Sequence, residues 1–415
     1  MIFHSHRMAN GLEVVAESHP SAHSAAVGFF VRAGARDEND GIAGISHFLE
    51  HMVFKGTESR DVDQVNREFD AMGAHYNAYT SEEATVYYAA ILPEKLGDAV
   101  ALWADLLRPA LRAEDFATEK NVILEEIRMH EDEPPFGADE KCRALCFGDH
   151  PLGRDVLGTP ESITAMRPEQ MREYHRLYYA ADNIILAAAG RLDFDALVAT
   201  AERCCGAWAP GGARRAPTPA TMREGCHVIE KPTAAQQYVL RMSAAPSATD
   251  PDRFAAILLS MILGDDLGSR LYWELVDPGL AEHATVAHAE YEEAGAWLVS
   301  ICCEPQQAAD NLRRAVNVFR AAEADGVAEA ELRQAQSKLM SRVVLAAERP
   351  RGRMFAVGGN WLYRREYRSV EQDLDEVAAV SIDRIAAVAK RYPLSRAMTV
   401  TIGPLATLGN TPAAT

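Results

Sequence analysis

The chain has 415 residues, of which 48% are hydrophobic and 25% charged, a composition typical of a globular protein long enough for two domains. Its 42 Lys and Arg residues face 60 Asp and Glu residues, a formal charge of −18. This balance argues against nucleic acid and anionic membrane surfaces as partners, because both attract positive charge.

The first half predicts alternating strands and helices. Asn10-Gly11, set between two alternating stretches, is typical of a β-hairpin, and residues 25–32 read as a strand. A glycine-rich segment leads to a helix that starts near Ser46, which we expect to be its N-cap. The pattern continues with helices over 61–72, 93–107, 114–131, 167–178 and 194–204, and with strands over 75–80, 84–91 and 184–189.

The most informative motif is His47-Phe-Leu-Glu50-His51, at the start of that first helix. His47 and His51 are four residues apart and share one face of the helix, and Glu50 leans over the same face. Two imidazoles and a nearby carboxylate form most of a hydrolytic zinc site. The order is that of the inverzincins.

The helix over 114–131 offers the third ligand that such a site requires. Glu119 and Glu126 lie two turns apart on one face, and both are candidates for this ligand. Glu125 points to another face and is the minor alternative for the ligand.

The segment over about 27–158 resembles the M16 family of zinc peptidases, the pitrilysin and mitochondrial-processing-peptidase type. The resemblance is carried by His47, Glu50, His51, the run Asn77-Ala78-Tyr79-Thr80 and the Glu119 and Glu126 pair. It implies one zinc ion per chain on His47, His51 and Glu126, with Glu50 as general base. Glu119 then belongs to the catalytic set in a supporting role, as hydrogen-bond acceptor for a ligand histidine. It also implies that Asn77, Ala78 and Tyr79 bind the substrate backbone as an added strand.

The second half repeats the order of the first without the motif. A Pro/Gly-rich stretch over 206–220 is typical of a linker. Strands over 237–242 and 297–303 and helices over 252–263, 268–276, 306–324 and 329–347 follow. Laying Phe116 on Leu332 places Ala335 opposite Glu119 and Arg342 opposite Glu126, so only the first half can hold this metal.

These observations predict an α+β fold of two homologous domains, each an antiparallel sheet packed with helices as the family resemblance implies. We expect a catalytic domain over 1–205, a linker over 206–225 and a second domain without a metal site over 226–415. The implied function is a zinc endopeptidase that hydrolyses peptides or unfolded polypeptides in an enclosed chamber. The alternative is a non-catalytic scaffold subunit with an idle zinc site.

The second half departs from the family at one place. Active members often supply an Arg and a Tyr, seven residues apart, to steady the oxyanion and the substrate. Here Val276 and Glu282 stand at those positions, and Arg270 and Tyr272 come too early to replace them. We therefore expect a dimer, with a homologous chain that supplies the Arg/Tyr pair.

The cysteines and the N-terminus indicate the compartment. Four of the seven cysteines form the adjacent pairs Cys204-Cys205 and Cys302-Cys303, and no C-x-x-C occurs, which favours free thiols over disulfides or a zinc finger. The sequence shows no apolar signal segment and no run of about 18 apolar residues. A cytoplasmic location is expected.

Overall fold

The computed structural model describes residues 1–408, which form two compact units. The strands are β1 (Ile2–Arg7), β2 (Glu13–Ser18), β3 (Ala25–Val31), β4 (His75–Thr80), β5 (Thr85–Ile91), β6 (Ile184–Gly190), β7 (Gly225–Glu230), β8 (Gln237–Ala244), β9 (His283–Tyr291), β10 (Ala294–Cys303) and β11 (Met398–Gly403). The α-helices are α1 (Ile45–Val53), α2 (Val62–Met72), α3 (Leu96–Leu106), α4 (Ala113–Asp132), α5 (Ala138–Phe147), α6 (Pro160–Ala165), α7 (Pro168–Tyr178), α8 (Phe194–Cys205), α9 (Arg253–Gly264), α10 (Ala308–Asp325), α11 (Glu329–Ala347), α12 (Pro350–Arg364), α13 (Val370–Ala379) and α14 (Ile382–Arg391).

Each unit contains one mixed sheet, and the two sheets share the topology of five strands, to which β1 adds a sixth in unit 1. The strand order is β1-β2-β6-β3-β5-β4 in unit 1 and β7-β11-β8-β10-β9 in unit 2. Within each sheet one pair is parallel, β2 with β6 and β7 with β11, and the other pairs are antiparallel. The predicted α+β class is confirmed, but neither sheet is wholly antiparallel. Each parallel pair joins strands that are far apart in the sequence, and the intervening chain, which contains both strands and helices, is long enough to permit parallel pairing.

The two compact units are each made of segments that are not consecutive in the sequence, and the predicted domain bounds stay a prediction. Unit 1 comprises residues 1–128, 154–216 and 344–369, and unit 2 comprises 129–153, 217–343 and the described chain from 370 onwards. The expected linker is therefore divided between them, and its first part is fixed within unit 1. There Arg215 Nη2 lies 2.5 Å from Asp37 Oδ2, and the amides of Gly211 and Gly212 both donate to Asp182 Oδ1.

The sheet of unit 1 is buried on both faces, which explains why β3 is apolar throughout. Val27, Phe29 and Val31 belong to the core that includes α1 and α3. Ala26 and Phe30, which alternate with them, belong to the core formed with α12. Strand residues alternate between faces, so a fully buried strand needs a helix layer on each side.

Two features of α12 allow its close packing on the sheet. A Cβ atom at Gly358 would lie 2.3 Å from the ring of Phe30, so glycine lets the helix backbone approach the strand. Arg353 donates from Nε and Nη2 to the two carboxylate oxygens of Glu17 on β2, at 2.8 and 2.5 Å. Both charged side chains are buried, and their pairing offsets the cost of removing them from water.

Several elements differ from the predicted ones. The helix expected over 268–276 is only a short π-helical segment, Tyr272–Val276, because the preceding residues form a loop in which Gly268 has a φ of +75°. Strands β7, β9 and β11 and helices α5, α6, α12, α13 and α14 were not predicted. By contrast, β4 and α11 have the predicted bounds.

Candidate metal centre

The motif helix α1 is capped by a distant carboxylate. Gly44, at the N-cap, has a φ of +85°, and Glu38 accepts hydrogen bonds from the backbone N–H groups of Gly44 and Ser46, at 2.7 and 2.8 Å. The prediction that Ser46 is the cap was wrong, since its hydroxyl instead bonds Tyr174 Oη at 2.7 Å. Burial raises the pKa of Glu38 to about 8, although the hydrogen bonds from Ser46 and Gly44 oppose this rise.

Helix α4 packs against α1 through its apolar face. Phe116, Ile123 and Ile127 are buried, and the ring of Phe116 stacks on that of Phe48 with centroids 4.6 Å apart. This packing turns the predicted Glu119 and Glu126 towards the two histidines. Glu125 faces outward, where it pairs with Arg128 at 3.1 Å and is 63% exposed.

His47, His51 and Glu126 bring three metal-ligating atoms together. His47 Nε2 lies 3.7 Å from Glu126 Oε1, and His51 Nε2 lies 3.7 Å from Glu126 Oε2. All three ligand atoms lie within 4.8 Å of one another. Zinc bonds of about 2.0–2.2 Å in a tetrahedral site separate ligand atoms by roughly 3.4 Å, so this donor set fits a zinc ion. In the described part of the chain, no other three His, Cys, Asp or Glu side chains come together in this way.

The second nitrogen of each histidine has a different environment. His51 Nδ1 lies 2.8 Å from Glu119 Oε1, and because a carboxylate only accepts, Nδ1 carries the proton and Nε2 keeps its lone pair for a metal. Burial lowers the pKa of His51, but the hydrogen bond to Glu119 and the charges of Glu126, Glu119 and Glu50 outweigh it and raise that pKa. Within residues 1–408, buried His47 Nδ1 has no hydrogen-bond partner. Burial, followed by the neighbouring His51, lowers the pKa of His47 to about 3.

Glu119 is held by a residue that the sequence analysis missed. Lys55 Nζ lies 2.5 Å from Glu119 Oε2, so Glu119 bridges an ammonium group and His51. Burial opposes ionisation of Glu119, but the hydrogen bonds from His51 and Lys55 outweigh it, and the pKa of Glu119 lies below its usual value. The sequence contains one indication of this role, because Lys55 follows His51 by four residues and would share its helix face. The helix ends at Val53, however, so helical spacing alone does not predict the position of Lys55.

Glu50 has its own support from the edge strand. The hydroxyl of Thr80, the last residue of β4, donates to Glu50 Oε2 at 2.6 Å. Burial raises the pKa of Glu50, and the Thr80 hydrogen bond opposes this rise. The sequence motif Asn77-Ala78-Tyr79-Thr80 gave no indication of this contact, because it joins a strand to a helix.

Strand β4 lies at one edge of the unit 1 sheet, where it pairs with β5 alone. Of the predicted substrate-binding residues, Asn77 and Tyr79 are exposed and Ala78 is buried. Asn77 Oδ1 accepts from the amide of Ala78 at 2.9 Å. All three lie on an edge strand whose outer side faces no other strand of the sheet, and their role in substrate binding stays a prediction.

The second half lacks the corresponding site. Leu332 and Ala335 are buried on α11, as Phe116 and Glu119 are on α4, and Arg342 pairs with Asp265 at 2.6 Å. Arg270, the early arginine, donates to both oxygens of Glu331 at 2.7 and 2.8 Å. Its guanidinium is thus held within unit 2 by an acidic partner.

No helix in the described range 1–408 combines the length and apolar character needed to span a bilayer.

Comparisons with known proteins identify relatives along most of the chain. The family model described as Insulinase (Peptidase family M16) matches residues 13–160, and the model described as Peptidase M16 inactive domain matches residues 165–339. A Mycobacterium tuberculosis protein named as an uncharacterized zinc protease is 34% identical over 407 residues, covering 96% of this chain and 92% of its own length.

Two solved structures share the fold at low sequence identity. A protease from Helicobacter pylori has a TM-score of 0.90 and 21% identity, covering 97% of this chain and 99% of its own. A structure described as a peptidase M16 inactive domain from Pseudomonas fluorescens has a TM-score of 0.91 and 20% identity, covering 98% and 99%. The relative from Mycobacterium tuberculosis is named as a zinc protease. These matches confirm the resemblance carried by the motifs from His47 to Glu126: the chain belongs to the M16 family of peptidases.

Proposed function

We propose that this chain is a zinc-dependent endopeptidase that hydrolyses peptides or unfolded polypeptides, and that it is the metal-bearing subunit of a two-chain assembly. One observation carries the proposal. The ligand atoms of His47, His51 and Glu126 lie within 4.8 Å of one another, one helical turn from a carboxylate, Glu50, that is no part of this ligand set. A purely structural zinc site needs four protein ligands and no such carboxylate.

The residues of the chain divide the chemistry between them. A zinc ion, when bound by His47, His51 and Glu126, supplies Lewis acidity that makes water a better nucleophile near neutral pH and polarises a peptide carbonyl. Glu50 takes the proton of the attacking water and returns a proton to the leaving amine. Glu119 keeps the Nδ1 proton on His51 and so fixes the ring orientation.

Substrate binding is assigned to the edge of the sheet. An extended peptide would pair with the outer edge of β4 along Asn77, Ala78 and Tyr79, and the Ala78 amide would exchange its bond to Asn77 Oδ1 for one to the peptide. The peptide would then lie beside the site, because Thr80 contacts Glu50. Such pairing recognises the backbone of the peptide and depends little on its side chains. We therefore propose that the substrates are peptides of varied sequence in an extended conformation. An enclosed chamber around them is what the family resemblance implies.

The two-chain part of the proposal rests on what unit 2 offers. Glu282 is exposed and accepts from Gln236 Nε2 at 2.5 Å, Val276 is partly buried against apolar residues, and Arg270 is engaged by Glu331. None of these side chains is a free donor for an oxyanion. Since removing one oxyanion donor costs about 10²–10³ in rate, a homologous chain that contributes Arg and Tyr should raise activity strongly.

The test combines zinc content with turnover. Glu50→Gln should retain one zinc per chain and lose at least about 10² in turnover of an unfolded peptide, measured alone and with homologous chains from the same organism. Glu125→Gln is the matched control, an exposed glutamate on α4 that should leave both unchanged. Full turnover by Glu50→Gln would overturn the peptidase mechanism. Full turnover by the isolated wild-type chain, with no gain from any homologous chain, would overturn the two-chain assembly.

A further inference from the structure

Thr80 connects two parts of the proposed enzyme. Its backbone belongs to β4, the edge strand assigned to the substrate, and its hydroxyl donates to Glu50 Oε2 at 2.6 Å. Within residues 1–408, the Thr80 hydroxyl is the hydrogen-bond donor that the structure shows for the Glu50 carboxylate. The contact joins positions 30 residues apart in the sequence.

The Thr80 hydroxyl lies beside a buried neighbour on the paired strand. Thr80 Oγ1 is 3.5 Å from Thr85 Oγ1, and Thr85 Oγ1 donates to the backbone carbonyl of Ala33 at 2.9 Å. Because each hydroxyl has one proton and donates it elsewhere, the contact between Thr80 and Thr85 is a packing contact. Thr85 is fully buried. Threonine also has few side-chain rotamers, because its Cβ is branched. The hydroxyl thus approaches Glu50 from the end of β4, at the point where Thr80 pairs with Thr85 of β5.

This geometry distinguishes the two oxygens of the Glu50 carboxylate. A hydroxyl has one proton to donate, and here the proton goes to Oε2. The bond restricts rotation of the carboxylate and distinguishes Oε2, which accepts from Thr80, from Oε1, which does not. Without the bond, Glu50 could rotate about its terminal torsion, which is broad for glutamate.

We propose that Thr80 is a positioning residue that orients Glu50 for proton transfer and couples this orientation to the strand that binds the substrate. The inference rests on the proposed function. It assigns to the hydroxyl of Thr80 a role separate from that of the β4 backbone: the backbone binds the substrate, and the hydroxyl aligns the base. Misplacing a reacting group by about 1 Å costs on the order of 10²-fold in rate.

The experiment compares Thr80→Val with Thr80→Ser in the full chain, with the partner chain present if activity requires it. Valine keeps the shape and β-branching of threonine but removes the donor, whereas serine keeps the donor. We expect Thr80→Val to bind zinc stoichiometrically, to keep KM within about twofold and to lose about 10- to 100-fold in kcat. Thr80→Ser should restore kcat to within a few-fold of wild type. Crystal structures of the zinc-loaded variants should show the Glu50 carboxylate rotated in Thr80→Val and unmoved in Thr80→Ser.

Other outcomes separate this inference from the proposed function. Wild-type kcat in Thr80→Val, or an unmoved Glu50 in its crystal structure, overturns the positioning role. So does loss of zinc or of folding in Thr80→Val, since the hydroxyl would then be structural. If Glu50→Gln abolishes cleavage while Thr80→Val is neutral, only the role of Thr80 fails. If Glu50→Gln cleaves normally, the proposed function itself fails.

Discussion

Two adjacent glycines of α12 should respond to alanine with opposite signs. At Gly358 the new Cβ would lie 2.3 Å from Cζ and 2.4 Å from Cε2 of Phe30, a ring on β3 that is 2% exposed. To relieve this clash, the Phe30 ring must leave its preferred rotamer or the helix must shift, which costs about 1–3 kcal/mol of stability. The helix gains roughly 0.5–1 kcal/mol from replacing glycine, so the net expected loss is about 0–2.5 kcal/mol. At Gly359 a Cβ meets no atom within 4 Å, so Gly359→Ala should gain about 0.5–1 kcal/mol.

The difference between the two variants is the measured quantity. Both variants gain the same free energy from replacing glycine in a helix, and only Gly358→Ala loses free energy through the clash. The free energies of unfolding of the two variants should therefore differ by about 1–3 kcal/mol. Urea unfolding gives the global difference, and hydrogen exchange of the α12 amides gives the local one. Equal stability of the two variants would refute the close packing of α12 on Phe30.

Three further predictions concern the metal site and its surroundings. Lys55→Met should weaken zinc binding about 10- to 100-fold in a chelator competition, because Glu119 loses its cationic partner; an affinity within twofold of wild type would contradict this. Glu126→Gln should lose stoichiometric zinc while Glu125→Gln keeps it, and the reverse result in metal analysis would move the ligand by one residue. Burial lowers the pKa of His175 to about 4 from 6.5, although its hydrogen bond to the Leu107 carbonyl raises it. The unfolded chain therefore binds this proton more tightly, and stability falls by up to about 3 kcal/mol as the pH drops from about 6.5 to 4. His175→Gln should flatten that fall in urea unfolding, and parallel pH curves for the two proteins would count against it.

The sequence by itself determined those features that depend on the spacing within one element. The shared face of His47 and His51 follows from the helical period, and so does the shared face of Glu119 and Glu126. The edges of α2 were also readable, because Asp61 caps its start and Gly73, with a φ of +60°, ends it. Such features are local, since backbone periodicity and capping chemistry act over a few residues.

Contacts between elements were not readable in this way. Thr80 reaches Glu50 across 30 residues and Lys55 reaches Glu119 across 64, and each contact depends on how a helix packs on a strand or on another helix. Glu38 replaced the expected cap Ser46 because a buried carboxylate was carried to the helix start by the preceding loop.

Tertiary structure alone also decided which segments belong to which unit. Residues 344–369 follow the second-half repeat in sequence but belong to unit 1, where α12 covers the face of β3 that displays Ala26 and Phe30. Periodicity marks a strand as buried on both faces without identifying the helix that covers it. That choice depends on complementary shapes, such as Gly358 against Phe30, and on pairings such as Arg353 with Glu17, which are formed between residues far apart in the chain.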